Sequence, residues 1–152
     1  MKTVLLVEDS PDDALMMQNA CRSADIPHVL VHLLDGVEAI DYLAAAAGDP
    51  DRAAHPAVDL MFLDIKLPRK DGHEVLAWIR AQPAFRSLPV IMLTNSDDPN
   101  DVRRAYKLGV TSYLLKTGDP AGLVLGVRII LKYWLSLNVM PAPPQRLVTS
   151  YL

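Results

Sequence analysis

The chain contains 152 residues with a mass of 16.7 kDa, a length typical of one domain. Apolar residues make up 51% of it and charged residues 22%, so we exclude a disordered chain over most of the length. The net charge of −3 and the lack of any Lys/Arg run exclude binding driven by nucleic-acid phosphates. One cysteine forms neither an internal disulfide nor a cysteine-based zinc site, which favours a reducing cytoplasm.

The hydrophobic segments predict neither a signal peptide nor a membrane span. The N-terminal apolar run meets acids at Glu8 and Asp9, which is too early for a signal peptide. The most apolar stretch, residues 123–140, carries Arg128 and Lys132 and falls short of the ~20 uninterrupted apolar residues of a membrane-spanning helix. We therefore expect no membrane association.

Short apolar segments alternate with longer segments of helical period along the chain, which is typical of a parallel α/β sheet. The predicted strands are residues 4–7, 29–34, 60–63, 90–93 and 112–115. Because each of them is uniformly apolar, each is a candidate central strand covered on both faces. Helix starts are indicated by capping residues at Ser10, Asp35, Asp71 and Asp119.

Two segments depart from this alternation. Residues 44–57 are small and polar, and we interpret them as the end of the second helix followed by a long surface loop. Three prolines after residue 140 prevent a regular helix from continuing. The sequence therefore predicts a domain over residues 1–136 and a C-terminal tail or arm over residues 137–152.

Charged and hydroxyl side chains follow the ends of four predicted strands. They are Glu8, Asp9, Asp64, Thr94 and Lys116. The carboxyl ends of parallel strands meet at one edge of the sheet, where such folds bind ligands. Carboxylates a few ångströms apart repel unless they share protons or bind a cation, and oxygen ligands favour Mg²⁺. Lys116 and the Thr94 hydroxyl are placed to bind an anion beside the metal, which indicates phosphoryl chemistry.

These residues, with the run MFLDIKLPRKDG at residues 61–72, resemble the receiver domains of response regulators in order and spacing over about residues 1–136. The resemblance implies a flavodoxin-like, doubly wound (βα)5 fold with strand order 2-1-3-4-5. Within this family, the loop before the third strand and the sequence LPRKDG at residues 67–72 are similar to those of stand-alone regulators that partner bacterial and cyanobacterial phytochromes. A sensor histidine kinase, such as a bacteriophytochrome, is the partner that this resemblance implies.

The resemblance also implies the roles of the site residues. Asp64 would be the phosphoacceptor, and the Lys116 ammonium and the Thr94 hydroxyl would contact phosphoryl oxygens. The implied Mg²⁺ ligands are Glu8, Asp9, Asp64 and the backbone carbonyl of Lys66. Tyr113 would move with Thr94 and so change a protein-interaction surface. Such a protein is a switch that catalyses its own phosphotransfer and slow dephosphorylation rather than a turnover enzyme.

Three residues depart from the family pattern or modify it. Thr117 stands where the family usually has Pro, so we expect a trans Lys116–Thr117 peptide. Asn95 is larger than the usual residue after the switch threonine. In this family the residues two beyond the acceptor and the switch threonine, here Lys66 and Ser96, flank the path of a hydrolytic water, and Lys66 is placed to lengthen the phosphoryl lifetime.

Several other polar residues have simpler explanations. Asp12 and Asp13 favour the first turn of a helix through its dipole, and we do not predict them as ligands. The four histidines are dispersed, so we expect them on the surface or in loops. We predict that Cys21 packs in the core.

The fifth predicted helix is apolar on more than one face, although packing on a sheet requires only one. Val127, Ile130, Leu131 and Trp134 suffice for the core. The residues left for another surface are Leu125, Ile129, Tyr133 and Leu137. We hypothesise that a homodimer forms through this surface, with the tail reaching onto the partner. Alternatively, the tail folds back over its own helix.

Other functions fit the sequence less well. A haloacid-dehalogenase-type phosphatase needs an acid two residues after its nucleophilic Asp, where this chain has Lys66. Flavin and dinucleotide folds need a hydroxyl-rich or Gly-rich phosphate loop, which the first loop lacks. The remaining alternative is a phosphorylation-independent dimeric interaction module with the receiver fold, which Thr117 leaves open.

Overall fold

The computed structural model of the chain describes residues 1–48, 55–116 and 118–141. Its strands are β1 (Lys2–Val7), β2 (His28–Leu33), β3 (Leu60–Leu63), β4 (Val90–Thr94) and β5 (Ser112–Leu115). Its helices are α1 (Pro11–Ser23), α2 (Gly36–Gly48), α3 (Gly72–Ala81), α4 (Pro99–Lys107) and α5 (Pro120–Lys132). A short 3₁₀ turn (Pro83–Phe85) precedes β4, and a π turn (Tyr133–Leu137) extends α5. The five predicted strands are confirmed.

The strands form one parallel sheet in the order β2-β1-β3-β4-β5, which confirms the predicted fold class. Alternate residues of the central strands point to opposite faces, so the sheet separates two hydrophobic cores. Helices α2, α3 and α4 cover one face of the sheet, and α1 and α5 cover the other. Strand order reverses between β1 and β3, and this reversal opens a crevice at the carboxyl ends of the strands.

Uniform apolarity does not distinguish central from edge strands in this chain. Every residue of β3 and β4 is buried, whereas β2 and β5 are only partly buried. The prediction that all five are central is therefore wrong for β2 and β5, because each has a neighbour on one side only.

The predicted helix caps are present. The side chains of Ser10, Asp35, Asp71 and Asp119 each accept a hydrogen bond from a backbone N–H in the first turn that follows. Gly109 adopts a φ of 94° directly after the C-cap of α4, a conformation that favours glycine. These local signals fix where the helices begin, and hence where the loops at the sheet edge end.

Helix α5 buries a different set of residues from the predicted one. Its buried positions, with the turn that extends it, are Leu123, Val127, Leu131 and Leu135. Ile130 and Trp134, both in the predicted set, are partly buried and pack against this core, whereas Leu123 and Leu135 were not predicted. The Asn138 N–H donates to the Tyr133 carbonyl, five residues back, at 2.7 Å. Leu135, four residues after Leu131, continues the buried face of α5 through this turn.

The outer face of α5 is apolar and exposed, as predicted. Exposed fractions are 56% for Leu125, 59% for Ile129, 48% for Tyr133 and 64% for Leu137. By length and composition alone, the 18 residues of Pro120–Leu137, with a mean hydropathy of 1.4, could cross a membrane. In the fold their inner face packs on α1 and the sheet. The tail beyond residue 141, with its two predicted arrangements, lies outside the described residues.

Cys21 and His73 test the predicted locations of the cysteine and the histidines. Cys21 is buried in the core, as predicted, and burial raises the pKa of its thiol to about 12. The prediction for the histidines is wrong at His73, which is buried in α3. Its Nε2 lies 3.1 Å from the Asp101 carbonyl oxygen, and this polar contact across to α4 makes burial of the ring possible.

Candidate functional site

The sheet edge brings together the predicted acidic residues. Glu8 follows β1 and Asp64 follows β3, and both are buried, whereas Asp9 is exposed. One carboxylate oxygen from each of the three lies within 4.8 Å of the others. Among the described residues this is the cluster of acids suited to hold a metal ion. The spatial convergence predicted from the strand ends is therefore present.

Lys116, after β5, places its ammonium in this cluster. Nζ donates to Glu8 Oε2 at 2.5 Å and to Asp64 Oδ2 at 2.9 Å. It also donates to Asp13 Oδ2 at 2.9 Å, although we predicted only a helix-dipole role for Asp13. Asp13 lies in the first turn of α1, where an acid is explained by the helix dipole alone, so no spacing in the sequence singles out its contact with Lys116. The Lys116 side chain is only 3% exposed.

The charges of the cluster shift the pKa values of two groups. Burial raises the pKa of the Glu8 carboxyl to about 7, because the opposing hydrogen bond from Lys116 is the smaller effect and the Asp64 charge adds to the burial effect. Burial alone would lower the pKa of Lys116, but hydrogen bonds to Glu8, Asp13 and Asp64 raise it well above its usual value. One ammonium therefore leaves the cluster short of positive charge.

The backbone fixes one oxygen of the Asp64 carboxylate. The Ile65 N–H donates to Asp64 Oδ1 at 2.7 Å, and the Asp64 N–H donates to the Val7 carbonyl at 3.2 Å. Because Oδ1 is held in this way, Oδ2 is the oxygen that meets Lys116. The geometry leaves a single, oriented oxygen available for chemistry.

Thr94 and Tyr113 both contact Ser96 in the loop after β4. The Ser96 N–H donates to Thr94 Oγ1 at 3.3 Å, and the Tyr113 hydroxyl donates to the Ser96 carbonyl at 2.7 Å. The Ser96 hydroxyl in turn donates to an Asp101 carboxylate oxygen in α4. Sequence reasoning identified Thr94 and Tyr113 but not Ser96 as their shared partner, because a hydrogen bond to a carbonyl leaves no sequence signal.

The remaining predicted features stand apart from this network. Lys66 and Asn95 are exposed in the loops after β3 and β4. The backbone carbonyl of Lys66 stays a predicted ligand. The predicted trans geometry at Thr117 lies outside the described residues.

The residues present fit a divalent cation. Three carboxylate oxygens converge, two of the acids are buried, and burial, with a smaller contribution from the Asp64 charge, raises the pKa of Glu8. Hard oxygen ligands of this kind suit Mg²⁺ or Mn²⁺ rather than a soft metal. A divalent ion would supply the missing positive charge.

We expect the metal-free protein to lose stability as pH rises from 5 to 8. The Glu8 carboxyl has a pKa of about 7 in the folded state against an ordinary value of 4.5, so the folded state binds the proton more tightly. Its stabilising contribution is complete below pH 4.5 and is lost as pH rises through 7. Urea denaturation in EDTA at several pH values measures this slope. Glu8→Gln should flatten it, and an unchanged slope in that variant would contradict the assignment.

The chain matches known proteins over most of its length. The family description "Response regulator receiver domain" matches residues 4–128. The chain is 38% identical to Response regulator Rcp1 of Synechocystis over 141 residues, covering 93% of this chain and 94% of Rcp1. Receiver domains of this family are signalling switches rather than enzymes in themselves.

Solved structures show the same fold. The phosphorylated cyanobacterial phytochrome response regulator RcpA is 35% identical, with a TM-score of 0.82 over 93% of this chain and 99% of RcpA. The Mn²⁺-bound form of Rcp1 is 37% identical, with a TM-score of 0.81 over 93% of this chain and all of that chain (100%). The fold, the acidic edge and these matches together place the chain in the response regulator receiver domain family.

Proposed function

We propose that this chain is a stand-alone response regulator that accepts a phosphoryl group on Asp64 from a sensor histidine kinase. The observation that carries the proposal is the buried Lys116 ammonium, 2.9 Å from Asp64 Oδ2 and surrounded by the acids of a metal site. This arrangement places an ammonium against the one Asp64 oxygen that the backbone does not hold. It is the environment that an incoming phosphoryl group requires.

The chemistry is a displacement at phosphorus. Asp64 Oδ2 attacks the phosphorus of a phosphohistidine, an O–P bond forms, the P–N bond breaks, and the imidazole leaves with the bonding electrons. A carboxylate is a weak nucleophile, so the rate depends on alignment and on neutralising the phosphoryl oxygens. Lys116 pairs with one of these oxygens, and the buried Thr94 hydroxyl donates to another. Later attack of water on the acyl phosphate returns Asp64 to its resting state.

Glu8, Asp9 and Asp64 would hold Mg²⁺, together with the backbone carbonyl of Lys66. When bound, the ion neutralises charge on the phosphoryl oxygens. The Mn²⁺-bound structure of Rcp1, 37% identical to this chain, supports a divalent site at the acidic edge. The fit of the three converging oxygens supports it independently.

The partner that we propose is a phytochrome-type sensor kinase in the cytoplasm. This rests on the similarity to RcpA, a cyanobacterial phytochrome response regulator, and to Rcp1 over 94% of its length.

We propose a receiver domain over residues 1–136 and a tail over residues 137–152. The acidic net charge of −3 gives no support for a nucleic-acid partner, and we propose none at a membrane.

Thr94 and Tyr113 form the proposed switch. A Thr94 hydroxyl drawn toward a phosphoryl oxygen would lose its contact with the Ser96 N–H, which is already long at 3.3 Å. The Ser96 carbonyl also holds the Tyr113 hydroxyl, so the ring and the loop before α4 would move together. The altered surface would lie around α4, β5 and α5.

We expect a homodimer through the exposed face of α5 formed by Leu125, Ile129, Tyr133 and Leu137. Ile129→Asp should give a monomer in sedimentation at micromolar concentration, because it buries a charge in the apolar interface. Leu15→Asp, on α1, is the matched control because its exposed fraction of 57% is close to the 59% of Ile129. A wild-type monomer, unchanged by deletion of residues 141–152, would overturn the proposal.

The proposed function predicts that acetyl phosphate with Mg²⁺ adds one phosphoryl group to the wild-type protein. Intact-mass measurement should show no addition to Asp64→Asn or in the presence of EDTA, because the nucleophile or the neutralising charge is then missing. A receiver of known activity, treated in parallel, is the positive control. If the wild type stays unmodified while this control reacts, the alternative of a phosphorylation-independent dimeric module is favoured.

A further inference from the structure

We propose that Asp13 is a positioning residue for Lys116, holding the ammonium at the acceptor when Glu8, Asp9 and Asp64 take up a divalent ion. This inference rests on the proposed phosphotransfer to Asp64 and adds to it a residue outside the metal ligands. Asp13 lies in the first turn of α1, whereas the other acids follow the ends of strands β1 and β3.

The contacts of Lys116 account for its whole hydrogen-bonding capacity. An ammonium has three donors, and Nζ has three carboxylate acceptors, on Glu8, Asp13 and Asp64. With 3% of its side chain exposed, water is a minor partner. Any partner that Lys116 gives up must therefore be replaced within the site.

In both Glu8 and Asp64, one carboxylate oxygen accepts a hydrogen bond from the backbone and the other does not. Glu8 Oε1 accepts the Ser10 N–H at 3.0 Å, and Asp64 Oδ1 accepts the Ile65 N–H at 2.7 Å. Their other oxygens, Oε2 and Oδ2, are those that Lys116 contacts. A cation held by Glu8 and Asp64 would draw on the negative charge of the same two carboxylates, and the contact of each to Lys116 would weaken.

Asp13 is not one of the three acids whose oxygens converge for a metal. It is therefore the carboxylate that stays with Lys116 when the others hold a cation. Its place is fixed by the capped start of α1, where the Asp13 N–H donates to Ser10 Oγ at 3.4 Å. A lysine has a flexible four-carbon stem, so a fixed counter-charge confines the ammonium at low entropic cost.

Asp13→Asn tests this inference, with Asp12→Asn as the matched control. Asp12 is the adjacent residue, carries the same charge and lies in the same turn, but it is exposed. At saturating Mg²⁺ we expect Asp13→Asn to slow phosphorylation of Asp64 by acetyl phosphate about tenfold, because the ammonium is misplaced. Asp13→Glu should recover part of the rate, and Asp12→Asn should leave it unchanged.

A double-mutant cycle with Lys116→Met distinguishes positioning from a general charge effect. If Asp13 acts through Lys116, Asp13→Asn should not slow the Lys116→Met protein further. An equal loss in both backgrounds would overturn the inference. Thermal melting of each variant shows whether loss of fold contributes to the rates.

Nitrogen-15 NMR of the lysine ammonium groups gives a readout that does not depend on phosphorylation. In Mg²⁺, a protected Lys116 resonance is expected in the wild type and in Asp12→Asn, but not in Asp13→Asn. Its absence from the wild type in Mg²⁺, or its persistence in Asp13→Asn, would overturn the inference. An unphosphorylated wild type with this NMR pattern would instead contradict the proposed function and leave the Asp13–Lys116 contact established.

Discussion

Lys116→Met is expected to lower the free energy of unfolding by about 3 kcal/mol near neutral pH in the absence of divalent ions. The substitution keeps most of the side-chain volume but removes the cation from three acids. Glu8 and Asp64 then remain buried, at 1% and 7% exposed, without their shared counter-charge. Urea denaturation in EDTA measures the loss. Lys107→Met, which removes an exposed lysine from the end of α4, should cost a few tenths of a kcal/mol.

The conditions that should restore the stability of the Lys116→Met protein follow from the same electrostatics. The deficit should shrink at pH 5, because the Glu8 carboxyl has a pKa of about 7 even beside Lys116, and loss of the ammonium raises it further, so the group is protonated there and needs no cation. Added Mg²⁺ should also recover stability, because a divalent ion supplies positive charge to the same oxygens. A deficit below about 1 kcal/mol, typical of an exposed pair, would show that water screens the cluster.

The sequence predicted which segments form strands and helices better than it predicted how these elements pack against one another. Apolar runs located β3 and β5 to the residue, since short strands between turns have few alternative boundaries. The same runs failed to identify β2 and β5 as edges, because edge position depends on which strands pair and not on local composition. At α5, the sequence analysis missed Leu123 and Leu135 as core residues, because the rotation of the helix on the sheet depends on its packing against α1 and the strands.

The sequence predicted those site residues whose positions depend only on the order and direction of the strands. Parallel strands deliver their carboxyl ends to one edge, so Glu8, Asp64 and Lys116 converge in any packing of the helices. Asp13 lies on a helix, and its contact with Lys116 requires that α1 docks with a particular rotation beside α5. That rotation is set by packing of α1 against α5 and the sheet, which a helix-dipole argument does not describe.

Gly72→Ala is expected to impair both stability and phosphorylation, because α3 begins against the backbone of Asp64, the proposed phosphoacceptor. A Cβ at Gly72 would lie 2.2 Å from the Asp64 carbonyl oxygen and 2.8 Å from the Ile65 Cα. These are backbone atoms and cannot rotate away, so either α3 or the Asp64 peptide must move. The Gly72 N–H also donates to the Ile65 carbonyl at 2.7 Å, which ties any shift of α3 to the loop that orients Asp64.

We expect Gly72→Ala to lose about 3 kcal/mol of stability, at the upper end for overpacking, and to slow acetyl phosphate labelling of Asp64 at least about tenfold. Gly48→Ala is the matched control, since a Cβ there meets no atom within 4 Å. Alanine at that helical position should be neutral or stabilise by up to about 1 kcal/mol. If Gly72→Ala and Gly48→Ala have the same labelling rate and the same free energy of unfolding, the close approach of α3 does not set the geometry of Asp64. The opposite result would show that a residue with no side chain orients the phosphoacceptor, by allowing α3 to start where it does.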